Sequence, residues 1–128
     1  MSKIVLDASA MLSVLRGEPG SETLPMEMLR HAVGSAVNVA EVHTKLVSRG
    51  GDADEAWEDA LSAVDEVAPF TAEQAKIAGA LVQKTRSLGL SLGDRACLAL
   101  GMALKAPIYT TDRAWKNLNV GVRIHVIR

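Results

Sequence analysis

"GDRACLALGMALKAPIYTTDR", residues 93–113, sets one aspartate near each end of a long apolar stretch. Asp94 opens an amphipathic run with Leu92, Ala96, Leu100 and Leu104 on one stripe, and "PIYTT" that follows is short, apolar and β-rich. An amphipathic helix leading straight into a short apolar strand is the repeating half of an α/β fold. The rest of the chain extends the pattern. "KIVL" at 3–6 reads as a buried strand, and "ASAMLSVLRG" at 8–17 as a helix stopped by Gly17 and Pro19. Residues 21–33 suggest a second helix, with Met26, Leu29 and Val33 on one face and Gly34 as its breaker. "SAV" at 35–37 is expected to be a second strand, "NVAEVHTKLVSRG" at 38–50 a helix, and "DADEAWEDALSAV" at 52–64 another. "EVAPF" at 66–70 reads as a short strand or turn. "TAEQAKIAGALVQKTRSLG" reads as one long helix capped at Thr71 and stopped at Gly89, and "GVRIHVI" at 121–127 as the last strand. Short apolar strands alternating with amphipathic helices argue for a largely parallel sheet, and right-handed crossovers put helices on both of its faces.

Composition is consistent with this. The chain has 128 residues, enough for one domain with a single core, and no repeat or linker divides it. Its 48% hydrophobic and 23% charged residues describe an ordinary globular protein. A formal net charge of −1 excludes the overall basic character that drives non-specific nucleic-acid binding, so any nucleic-acid partner must be held locally. The lone cysteine, Cys97, excludes an intramolecular disulfide and a thiolate metal cage, and its apolar neighbours make it a core thiol. No apolar run approaches the ~20 residues of a bilayer span, and the start of the chain lacks a signal-peptide pattern. The expected setting is the cytoplasm, with no membrane partner.

The acids carry the chemistry. Asp7 ends the first strand, Glu41 falls in the first turn of the third helix, Asp94 in the first turn of the "LGDRACLAL" helix, and Asp112 ends "IYTT". Each alone suits helix capping: Asp7 and Asp112 as N-caps, Asn38 with Glu41 and Ser91 with Asp94 at capping-box spacing. In a parallel sheet, however, strand C-termini and the following helix N-termini share one edge, where open α/β sheets bind ligands. Four carboxylates gathered there repel one another unless a cation intervenes. An oxygen-only donor set suits Mg²⁺ or Mn²⁺, and His31, His43 and His125 show no metal-binding spacing. Such a cation keeps several waters and can activate one of them.

"IVLDASA", "NVAEV", "LSLGDRACLAL" and "IYTTDRAW" together resemble the four acidic motifs of the PIN-domain ribonucleases, most closely the VapC toxins of bacterial toxin–antitoxin pairs. The resemblance spans nearly the whole chain. It implies a five-stranded parallel sheet and Mg²⁺- or Mn²⁺-dependent endoribonuclease activity on single-stranded or loop RNA, with structured RNAs such as transfer RNA as the substrate class. It also implies a homodimer and inhibition by a cognate antitoxin. Carried over by position, the metal-binding and catalytic acids are Asp7, Glu41, Asp94 and Asp112, with Thr110 and Ser9 as polar support. "DRAW" lacks the further acid that some members carry, and Trp115 reads as core.

Two other readings fit less well, and a third stays open beside the nuclease. A phosphoacceptor receiver module wants adjacent acids after its first strand, and Asp7 has no acidic neighbour. A D-x-D phosphatase lacks its second aspartate in "DAS". A catalytically silent PIN-like binding protein would keep the fold without the reaction. Arg95 and Arg113 follow two of the acids directly and are candidate phosphate clamps. Arg16, Lys45, Arg49, Lys84 and Arg86 read either as an RNA groove or as a solvated face. Met26, Met28, Leu29, Trp57 and Leu61 supply apolar surface for a dimer.

Overall fold

The computed structural model describes residues 2–128. Among them, five strands form one sheet: β1 (Ile4–Leu6), β2 (Ala32–Ser35), β3 (Glu66–Ala68), β4 (Ile108–Thr110) and β5 (Ile124–Val126). Every pairing is parallel and the order is β3-β2-β1-β4-β5. The chain therefore winds outward from β1 through β2 to β3, then returns to the other side of β1 for β4. That reversal puts the topological switch between β1 and β4, the crevice where open parallel sheets hold their ligands.

The helices are α1 (Ala8–Arg16), α2 (Met26–Leu29), α3 (Ala36–Ser48), α4 (Ala53–Leu61), α5 (Ala72–Ala80), α6 (Val82–Thr85) and α7 (Leu92–Leu104). Successive side chains of β1 divide them between two faces, as a strand's period of two requires. Ile4 and Leu6 pack with Met11 and Leu12 of α1, Val39 and Val42 of α3, and Ala60 of α4. Val5 points the other way, toward Leu98 and Leu100 of α7, Ile108 and Trp115. Trp115 is wholly buried, as is Cys97. No single helix among the described residues is long and apolar enough to cross a membrane.

Several boundaries differ from those expected, each for a physical reason. Residues 21–33 do not form one helix. Ser21–Thr23 is a 3₁₀ turn, Pro25 starts a single α-turn at Met26–Leu29, and Val33 already belongs to β2. Met26 is consequently 67% exposed rather than part of a buried face. The second strand lies at 32–35, not 35–37, and Gly34 sits inside it rather than breaking a helix. A methyl group there would press on Met11 Cε and Val39 Cγ2, so glycine lets α1 and α3 close over the strand. Because β2 ends at Ser35, that serine caps α3 through the Val37 amide. Asn38 is then no cap, and Glu41 lies in the second turn instead of the first.

The long helix expected over 71–89 is interrupted. Thr71 caps it and Gly89 ends it in the left-handed region, as expected. In between, the buried Thr85 hydroxyl donates to the Leu81 carbonyl at 2.8 Å, and the backbone shifts into a short α-turn and a 3₁₀ turn at Arg86–Leu88. On α7, Ala96 and Leu100 are buried as the stripe predicts. Leu92 and Leu104, at its two ends, are 54% and 39% exposed. The last strand shortens to 124–126, after a positive-φ turn at Gly121.

Gly20 pins the far end of the chain. Its φ of +99° favours glycine, and an added Cβ would collide with the Ile127 carbonyl oxygen, which is backbone and cannot swing away. Gly20→Ala should cost about 1–3 kcal/mol and lower the melting temperature by several degrees in a thermal scan. Gly17→Ala serves as the comparison, since that glycine shares a positive φ and has nothing within 4 Å of its added methyl.

Candidate active site

Asp7 stands immediately beyond β1, and its carboxylate is only 5% exposed. One oxygen accepts from the Ser9 hydroxyl at 2.7 Å and the Ala10 amide at 2.8 Å, which makes Asp7 the N-cap of α1. The other accepts from the Thr110 hydroxyl at 2.6 Å, across the β1–β4 crevice. Thr110 in turn accepts from the Asp112 amide at 3.1 Å, and Ser9 accepts from the Thr111 amide at 3.0 Å. Two hydroxyls thus tie the ends of both strands to one buried acid. Thr110 is wholly buried and acts on Asp7 as a positioning group.

Glu41 reaches the same edge from α3. Asn38, buried one turn earlier, donates to Glu41 Oε1 at 2.8 Å and to the Gly93 carbonyl at 2.9 Å, joining α3 to the start of α7. Gly93 is glycine for a spatial reason: a Cβ there would overlap the Glu41 carboxylate. The adjacent Asp94 closes a capping box with Ser91, each side chain accepting the other's backbone N–H at 3.1 Å. The capping expected of Asp94 is real, and it leaves the carboxylate at the positive end of the α7 dipole. Asp112 caps a 3₁₀ turn through the Ala114 amide at 2.9 Å and is exposed.

The electrostatics separate the four acids. Burial pushes the Asp7 carboxyl up from 3.8 to about 6, against the opposing hydrogen bonds from Thr110, Ser9 and Ala10, and the charge of Asp94 adds to the rise. The Cys97 thiol is pushed up by burial and by the charges of Asp7, Asp94 and Glu41 together. Asp112 is exposed, and its amide ties it to Thr110 and so to Asp7.

Among the described residues, no three His, Cys, Asp or Glu side chains converge closely enough to cage a metal unaided. The donor set still fits a hard, hydrated cation. Mg²⁺ is commonly bound through one or two carboxylates with waters completing its shell. Asp7 is a desolvated acid beside a second carboxylate, and the space left by Gly93 holds the third. The two arginines that follow site acids are both engaged by backbone carbonyls. Arg95 reaches back to the Ala78 carbonyl at 2.9 Å and braces α5, so it is no phosphate clamp in this conformation. Arg113 donates to the Arg128 carbonyl at 3.2 Å. His43 contacts the Ala53 carbonyl and packs edge-on against Trp57. Ser9 and Thr110 are legible as hydroxyls beside acids. Asn38 and Gly93 were missed as site-forming residues, because their partners are set by how α3 meets α7.

The raised Asp7 value gives a pH signature in metal-free protein. Between pH 4 and 6 the folded state keeps a proton that the unfolded chain has lost, so this group's contribution to stability falls as pH rises through that window. A rise from 3.8 to about 6 amounts to about 3 kcal/mol. In EDTA, Asp7→Asn should therefore be more stable than the parent at pH 8, with the gap closing toward pH 4. Parallel pH profiles of melting temperature for parent and variant would contradict the desolvated acid.

Comparison with known proteins agrees with this geometry. The PIN domain family model matches residues 4–120. Among solved structures, a toxin–antitoxin complex from Klebsiella pneumoniae superposes with a TM-score of 0.74 at 17% identity, covering 94% of this chain and 95% of that one. VapBC2 from Rickettsia felis, bound to a DNA fragment from its promoter, gives 0.74 at 17% identity, covering 95% and 96%. Mycobacterium tuberculosis VapC20, a toxin that cleaves the sarcin–ricin loop, gives 0.73 at 22% identity, covering 94% and 99%. No curated protein sequence matches the chain. At these identities the likeness is one of fold. With an almost full-length family match, a 3-2-1-4-5 parallel sheet and acids at its switch point, the chain belongs to the PIN domain family.

Proposed function

We propose that this protein is a divalent-metal-dependent endoribonuclease, acting as the toxin of a VapC-type toxin–antitoxin pair. The observation that carries this reading is the desolvated Asp7 carboxylate at the carboxyl edge of a PIN sheet, raised further by the charge of Asp94, with Glu41 held against Gly93 and Asp112 following β4. Acids brought together without a compensating base are unfavourable until a cation binds. The Klebsiella and Rickettsia structures are toxin–antitoxin complexes, and VapC20 is an RNA-cleaving toxin. These support an antitoxin partner and an RNA substrate here, single-stranded or in a loop.

Asp7, Glu41, Asp94 and Asp112 would hold Mg²⁺ or Mn²⁺, directly or through water. When bound, the cation supplies a water of lowered pKa as nucleophile and offsets charge on the phosphodiester. The chain's own part is to place the acids. Ser9 and Thr110 fix both oxygens of Asp7, Asn38 orients Glu41, and the capping box holds Asp94. A silent PIN-like binding protein would need none of these acids in register.

Capping and catalysis separate in one experiment. Asn caps helices about as well as Asp, so Asp112→Asn should change stability by less than about 0.5 kcal/mol. Asp94→Asn should cost about 0.3–1 kcal/mol through the helix dipole. Both variants should lose RNA cleavage by orders of magnitude, and Mn²⁺ should raise their melting temperatures less than the parent's. EDTA should abolish parental cleavage and Mg²⁺ or Mn²⁺ restore it. Full activity in both folded variants, or cleavage in EDTA, would overturn the reading.

The proposed toxin is a homodimer. Met26 and Trp57, at 67% and 39% exposure, lie in the region expected to supply apolar interface. Light scattering should return twice the chain's 13.6 kDa at micromolar concentration, and a monomeric mass would refute dimerisation.

A further inference from the structure

The charge of this chain is segregated. Residues 105–128 contain five Lys or Arg and a single acid, Asp112, a formal +4, so the first 104 residues carry −5 against the chain's −1. The structure gathers those cations around β5, whose outer edge has no partner strand because β5 ends the sheet order. One hollow of about 580 Å³ includes Lys105, Pro107 and Arg123, residues just before β4 and β5. A second, of about 470 Å³, is lined by Arg113, Lys116, Ile124, His125, Val126 and Arg128. Their linings meet in sequence at Arg123 and Ile124, so cations flank β5 from one end to the other. His125 is held by stacking on Tyr109, with ring centroids 4.7 Å apart. Among the described residues only Arg128 of this group has a carboxylate partner, Glu18 at 3.4 Å. Lys105, Arg113, Lys116 and Arg123 are exposed and have none.

The row ends beside the acids. Arg113 directly follows Asp112 and is anchored to the Arg128 carbonyl, while the Ile127 amide donates to the Thr110 carbonyl at 2.9 Å. We infer that the β5 edge is the track for the phosphate backbone of the single-stranded RNA substrate, with Arg113, Lys116 and Arg123 as its principal phosphate contacts. Charge complementarity selects this occupant. A carboxylate-lined site repels a polyanion, and a chain with net negative charge cannot collect RNA by its overall field. A local row of unneutralised cations beside the acids draws the backbone in and holds it in line with them. The inference rests on the ribonuclease reading and adds which face of the protein the RNA follows.

The test measures binding of a fluorescein-labelled single-stranded oligouridylate in EDTA, over a series of KCl concentrations. Each phosphate contact on a single strand contributes about 0.7 to the slope of log affinity against log salt. Lys116→Gln with Arg123→Gln should make the slope shallower by about 1.4, and adding Arg113→Gln by about 0.7 more. Arg30→Gln with Lys76→Gln, exposed cations outside this row, should leave it unchanged. Unchanged melting temperatures show that the variants are folded. The Lys116/Arg123 pair avoids Arg113, whose backbone contact could itself matter. An unaltered slope in that pair, an equal loss in the control pair, or salt-insensitive capture of an extended peptide along β5 with RNA binding unaffected would overturn the inference. Parental cleavage with Mn²⁺, run in parallel, separates the two claims. Cleavage with an unaltered slope overturns the track alone. No cleavage with a shallower slope overturns the ribonuclease reading and leaves the track standing.

Discussion

The buried carboxylate of Asp7 is the point on which the site depends. It lies at the end of the central strand, where the hydrophobic packing of β1 on both faces removes water from anything placed there. Its three hydrogen bonds come from α1, from the Ser9 hydroxyl and from the end of β4, so the same acid caps a helix and joins two strands across the switch point. Those bonds do not fully offset the loss of solvent, because the group still ionises only near pH 6. On the proposed function, a cation bound beside it would supply the missing stabilisation.

The remaining acids are delivered by helix packing. Asn38 bridges Glu41 to the Gly93 carbonyl, which sets the spacing of α3 and α7 at the sheet edge. Gly93 makes the approach possible by having no side chain, and Asp94 follows it directly on a helix whose N-terminus favours negative charge. Asp112 differs in kind: exposed and on the rim, it is linked to Asp7 only through backbone and the Thr110 hydroxyl. With Asp7 buried, Glu41 and Asp94 half-buried and Asp112 exposed, the acids open toward the side of Asp112. On the proposed track that side is the β5 edge, where the cations following Asp112 balance the negative field of the rest of the chain.

Much of this was legible in local stretches of the sequence. The helix-to-strand transition, Ser91 with Asp94 as a capping box, Asp7 and Asp112 as N-caps, and the burial of Cys97 and Trp115 all depend on local spacing and apolar content, and the structure agrees with each. The misjudged segments share one cause. Pattern alone cannot say whether Val33 and Gly34 end a helix or occupy a strand, since a short apolar run suits both. Sheet pairing decided it, by placing Ala32–Ser35 between β1 and β3. Helical periodicity likewise does not mark the break at Leu81.

What the sequence determined by itself was the class of fold and the edge on which the candidate acids would lie, because strand–helix alternation argues for a parallel sheet and a parallel sheet puts every strand's end on one edge. Only the tertiary structure decided how those acids differ. Desolvation, the Asn38 bridge and the space at Gly93 are long-range effects between residues up to 55 positions apart, and the pairing of Asp7 with Thr110 spans 103. The cations of the last 24 residues were visible as letters. That they line a single open strand edge beside the acids follows from β5 being last in the sheet, and no local pattern encodes that position.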